Sequence, residues 1–153
     1  MSRILGIDLG ARRIGVAVAD ADGAAVPLAT LRRALDVAAD AAAISRLAAE
    51  HGATEIVVGL PLEASGSDGP QARVTRAWVE AVTPLVRLPV MFRDERLSSH
   101  LAETRLGPMK RGRSGGPPSA TQRDEHRARV DREAAAIILQ DELDARARSA
   151  GER

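Results

Sequence analysis

Two apolar runs near the start of the chain leave little choice of fold. Arg3-Ile4-Leu5-Gly6-Ile7-Asp8 and Ile14-Gly15-Val16-Ala17-Val18-Ala19 are separated only by a short segment around Gly10. A connection that short cannot contain a helix, so the runs predict an antiparallel hairpin. A third strand is expected over Val26 to Leu31, after a turn at Asp22-Gly23. Residues 36–50 carry Val37, Ala41, Ile44 and Ala48 on one face, the spacing of an amphipathic helix, with Gly52 as its stop.

Strand and helix then alternate. Glu55 to Gly59 reads as a buried strand, and Val74, Trp78, Val82 and Leu85 recur at helical spacing, which makes Trp78 a core residue rather than a base-stacking platform. Leu88 to Arg93 predicts the next strand, and Ser98 or Ser99 is placed to cap a short helix through Leu106. Residues 107–125 mix glycine, proline and charge without period and read as a loop. The last helix is expected from about Arg127 to Ala147, with Val130, Ala134, Ile137 and Ile138 facing inward. The sum is an α/β chain with a mixed five-stranded sheet and helices packed on it, forming one domain over residues 1–148 and a polar tail over 149–153.

Composition narrows the chemistry. The chain has 153 residues and no cysteine, which excludes disulfides, thiolate zinc sites and cysteine nucleophiles. His51, His100 and His126 lack ligand spacing and read as solvent-facing, so zinc is not expected and any metal must be held by oxygen. A formal net charge of +1 does not by itself mark a nucleic-acid binder. Phe92 and Trp78 are the only aromatic residues, too few for extensive stacking, so recognition of a nucleic acid would fall to its backbone. No apolar run suits a bilayer crossing and the start of the chain lacks signal-peptide character, so no membrane contact and a cytoplasmic location are expected.

Three acids stand in unusual places. Asp8 ends an apolar strand between Gly6 and Gly10. Either it braces the hairpin turn, or its charge is compensated by a cation that the flanking glycines let approach. Asp94 and Glu95 stand at the carboxyl end of a predicted strand, where ligands of open sheets gather, although taken alone a surface turn with Asp94 or Ser98 as a helix cap is the better explanation. Asp131 shares a helical face with Ala135 and Ile138, pointing along a small-residue stripe, or it serves the positive end of the helix. Taken together, carboxylates from two strand ends and one helix suit hard divalent ions.

These segments carry a resemblance. Gly6-Ile7-Asp8-Leu9-Gly10 with Ile14-Gly15-Val16-Ala17-Val18, Val58-Gly59-Leu60-Pro61-Leu62, Asp94-Glu95-Arg96-Leu97-Ser98, and Asp131 with Ala134-Ala135 and Ile137-Ile138-Leu139-Gln140 together resemble the YqgF (RuvX) family. The match spans nearly the whole chain. It implies an RNase H-like fold with helices on both faces of the sheet, and Asp8, Glu95 and Asp131 as catalytic acids and ligands of Mg2+ or Mn2+. The family, first described as a Holliday junction resolvase, is linked to maturation of the 5′ end of pre-16S ribosomal RNA. Ser99 stands where the family often has threonine, and the loop with Gly115-Gly116-Pro117-Pro118 is longer and richer in proline than usual.

Between Arg105 and Arg132 lie eight Lys/Arg against three Asp/Glu, and Arg12 and Arg13 follow Asp8. Arg12, Arg13, Lys110, Arg111 and Arg113 are the candidate phosphate contacts, a solvated charged surface being the competing explanation. The expected substrate is structured RNA such as pre-rRNA, cut by a monomer or homodimer. Branched DNA, and a ribosome-associated binding protein without catalysis, are the alternatives. Sugar-kinase and actin-like ATPases have a similar phosphate-binding hairpin but need two lobes, for which the chain is too short.

Overall fold

The computed structural model of the protein describes residues 2–95, 98–109, 111–112 and 115–151, with backbone alone at 98–100. The hairpin forms as expected: β1 (Arg3–Leu9) pairs antiparallel with β2 (Arg13–Asp20), and β2 with β3 (Val26–Arg32). Next come α1 (Val37–His51), β4 (Ala53–Leu60), α2 (Pro70–Val86), β5 (Val90–Asp94), α3 (Ser98–Leu106) and α4 (Ala120–Gly151). Because β4 and β5 add in parallel, the sheet is mixed, in the order β3-β2-β1-β4-β5.

Alternation along the strands divides the core into two layers. Leu5, Ile7, Ile14, Val16, Ile56 and Val58 face α1 and α2, where Ile44, Trp78 and Val82 meet them. Ile4, Ala17 and Val57 face α4 and pack on Ala135, Ile138 and Leu139. Helices therefore cover both faces, as expected. Trp78 is 3% exposed and its Nε1 donates to Asp40 Oδ2 at 3.2 Å, which confirms its core role. Val74 and Leu85, expected on the same inward stripe, are instead exposed, and Ala72, Thr75 and Val79 complete the buried face.

Gly52 ends α1 in the left-handed conformation, φ 67°, as its position suggested. A larger correction concerns α4, which begins at Ala120 rather than near Arg127 and continues through part of the expected tail to Gly151. Its start is a capping box: Ser119 Oγ accepts from the Gln122 N–H at 3.1 Å, and Gln122 Oε1 accepts from the Ser119 N–H at 2.8 Å. Among the described residues no helix is long and apolar enough to cross a membrane.

Candidate active site

Three glycines let α4 lie directly on the sheet. A Cβ at Gly15 of β2 would sit 1.9 Å from the Asp131 carbonyl oxygen, one at Gly6 of β1 2.9 Å from the Ala135 carbonyl oxygen, and one at Gly59 of β4 2.4 Å from Ile138 Cδ1. Gly6 was expected to clear space for a phosphate or metal; the space it clears is taken by the helix. The small-residue stripe of Asp131, Ala135 and Ile138 thus faces the sheet, strand after strand. Asp131 lies three turns inside α4, so the positive end of the helix does not account for it.

This close approach brings Asp131 against Asp8, which stands opposite Gly15 in the β1–β2 register. Burial, and then the negative charge of Asp131, push the Asp8 carboxyl up to about 7. The opposing cation is Arg13, whose Nε donates to Asp131 Oδ2 at 2.5 Å. Arg13, expected to contact phosphate, is thereby tied to one of the acids.

Glu95 follows β5 at the same end of the sheet, its N–H donating to the Leu60 carbonyl at 3.0 Å. One strand, β4, lies between β5 and the β1 strand of Asp8, so two inter-strand spacings give a lateral step of about 10 Å. Its carboxyl lies beside that of Asp141 of α4 and is pushed up to about 8, first by burial and then by its interaction with Asp141, with Arg93 opposing. Asp8 and Asp131 are brought together, then, while Glu95 faces the same helix one carboxyl partner away. Among the described residues no three acids or histidines stand close enough to hold one metal ion. Farther along, Arg146 bonds Glu142 at 2.8 Å and pairs with Glu55, which fastens the later turns of α4 to β4.

Asp141 was missed by the sequence reasoning; its signal was its place three residues after the sheet-facing Ile138. An Asp141→Asn substitution is expected to bring the Glu95 midpoint down by about one pH unit, followed by carboxyl-carbon NMR across pH. An unchanged midpoint assigns the whole shift to burial.

Around the acids, Arg12 is exposed in the hairpin turn, and the Arg111 carbonyl accepts from Gln122 Nε2 at 2.8 Å beside the start of α4. Lys110 and Arg113 lie outside the described residues. His126, expected to be solvent-facing, is half-buried and lines with Asp131, Met109 and Arg127 a cleft of about 520 Å³.

A family model described as "RuvX: Holliday junction resolvase" matches residues 2–145. The chain belongs to the RuvX family. RuvX-family relatives match over most of their length. A protein of Chloroflexus aggregans named "Putative pre-16S rRNA nuclease" is 43% identical over 149 residues, covering 94% of each chain. Another of that name from Anaeromyxobacter dehalogenans is 44% identical over 145 residues, covering 95% of this RuvX-family chain and 98% of its own. Among solved structures, RuvC of T. thermophilus in complex with a Holliday junction substrate superposes with a TM-score of 0.51 at 14% identity, covering 95% of this chain and 96% of that one. That likeness concerns the fold alone, and it identifies the RuvX sheet as RNase H-like.

Proposed function

We propose that the chain is a divalent-metal-dependent nuclease that hydrolyses phosphodiester bonds in structured RNA, acting in 5′-end maturation of pre-16S rRNA in the cytoplasm. The observation that carries this reading is the part-buried meeting of Asp8 and Asp131, two carboxylates with one bonded guanidinium, that of Arg13, among the described residues. Such a pair is costly unless further positive charge arrives. The all-oxygen donor set fits Mg2+ or Mn2+ at Asp8 and Asp131, and Glu95 becomes the third donor when its carboxyl leaves Asp141. A bound ion supplies Lewis-acid charge and a more acidic water for attack on phosphorus. Arg13 holds the Asp131 carboxylate in orientation, while Arg12 and Arg127, exposed at the rim, neutralise phosphates of the substrate. Names borne by relatives of 43–44% identity favour pre-rRNA as the substrate.

The family description and the junction-bound RuvC neighbour favour a second reading, resolution of branched DNA by the same acids. Oligomeric state separates the two, because a four-way junction has two-fold symmetry and favours a homodimer, whereas a single RNA cut needs only a monomer. The test offers the purified protein a pre-rRNA 5′ fragment and a synthetic four-way junction in Mg2+ or Mn2+. Cutting confined to the RNA is expected. Preferential cutting of the junction by a dimer replaces this reading with the second.

A further inference from the structure

A groove of about 780 Å³ opens beside the acids, between the ends of β2 and β3 and the early turns of α4. Arg12, Arg13, Arg32, Arg33, Arg127 and Arg132 line it, against the single acid Asp124. Backbone pairing forces four of these together: Arg13 is the register partner of Arg32, and the Arg33 N–H donates to the Arg12 carbonyl at 2.8 Å. Like charges directly opposite across a sheet are destabilising.

Partners within the protein relieve only part of that charge. Arg13 is bonded to Asp131, and Arg33 donates to the Gly10 carbonyl at 3.2 Å and lies 4.0 Å from Asp40. Arg132 reaches a neutral group, the Thr30 hydroxyl, at 3.1 Å. Arg12, Arg32 and Arg127 are exposed and have no acidic partner among the described residues. What the groove complements is therefore an extended polyanion. An isolated phosphate would engage one or two of these guanidiniums and leave the rest unmatched. No aromatic ring lines the groove, so stacked bases are not what it holds. Planar guanidinium forks match phosphate oxygens.

Position settles which polyanion fits. Arg12, Arg13 and Arg127 also line the smaller pocket of about 230 Å³ that contains Asp131. A strand with one phosphate at the acids that leads its neighbouring phosphates into this groove meets three exposed arginines without acidic partners among the described residues. We propose that the groove seats the sugar-phosphate backbone of the substrate strand flanking the scissile bond, contacted by Arg12, Arg32, Arg127 and Arg132 without regard to base sequence. This rests on the nuclease reading of the acids, and it extends the substrate path to the β3 edge.

The test measures binding of a fluorescein-labelled single-stranded RNA oligonucleotide by anisotropy, in chelator so that nothing is cut, over a series of salt concentrations. Wild type is compared with the double variant Arg32→Ala/Arg127→Ala and with Arg46→Ala, an exposed arginine of α1 on the opposite face, each checked for an unchanged thermal melt. Loss of two phosphate contacts should reduce the log–log salt slope by about 1.4 and weaken binding at low salt by about tenfold or more, with Arg46→Ala like wild type. Wild-type affinity and slope in the double variant overturn the groove even if the wild type cuts RNA, in which case the nuclease reading survives alone. A double variant that shows the predicted loss, in a protein that binds RNA but never cuts it, upholds the groove as a seat for the RNA backbone but ends the nuclease reading and with it the assignment of that strand to a scissile bond.

Discussion

Replacing Gly15 with alanine is expected to lower the melting temperature by roughly 10 °C and to abolish activity. The added methyl would lie 1.9 Å from the Asp131 carbonyl oxygen and 2.4 Å from its carbon, both backbone atoms of a helix that cannot yield locally. Relief requires α4 to lift from β2, at a cost of about 3 kcal/mol on the scale of overpacked cores, equivalent to about that drop in melting temperature for a chain of this size. Lifting the helix also carries Asp131 away from Asp8, so activity should be lost even well below the melting point. Gly59→Ala is the comparison: there the methyl meets the tip of the Ile138 side chain, which can change rotamer, and a smaller loss of stability is expected. Thermal melts of both variants decide this. Equal, small effects would mean that α4 is not seated on Gly15 as described.

Asp8→Asn should act in the opposite sense on stability while removing activity. Asp8 titrates near 7 in the fold, against 3.8 as the ordinary value, so the folded protein holds this proton more tightly than the unfolded chain. The favourable contribution is complete below about pH 4 and is lost as pH rises through about 7, because the fold must then carry a buried charge beside Asp131. At about 1.4 kcal/mol per pH unit the bound at pH 8 is near 4 kcal/mol, and partial exposure of Asp8 reduces it to on the order of 2 kcal/mol. The asparagine variant, free of that charge, is expected to be more stable than wild type at pH 8, to keep less than half of that advantage at pH 5 and to lose the rest below about pH 4. Denaturant unfolding at the two pH values measures the difference. A variant less stable than wild type at pH 8 would show that Asp8 contributes a favourable contact rather than a tolerated charge. Added Mg2+ should narrow the gap at pH 8 by stabilising wild type alone.

What could be read from the sequence depended on whether the signal was local. The β1–β2 hairpin and α1 were legible because short-range apolar periodicity and Gly52 determine them. The meeting of Asp8 with Asp131 was legible as a possibility, since an acid on a small-residue helical stripe has to face the sheet. The early start of α4 was overlooked because Thr121 to Arg127 are polar and carry no stripe, although Ser119-Ala120-Thr121-Gln122 spelled a capping box. Glu95 with Asp141, and Arg13 with Asp131, were not legible: each pair joins elements far apart in the chain, and only the crossing of α4 over the sheet brings them together. The same crossing reassigned Gly6 from ligand clearance to helix clearance.

Single-turnover cleavage of a pre-rRNA 5′ fragment by the wild type and by Asp8→Asn and Asp131→Asn, each with Mg2+ and with chelator, tests metal-dependent catalysis at these acids most directly. Expected are cutting by wild type that stops in chelator and returns with Mg2+, and a rate at least about a thousandfold lower in either variant. Cutting that continues in chelator, or that either substitution leaves intact, would contradict it.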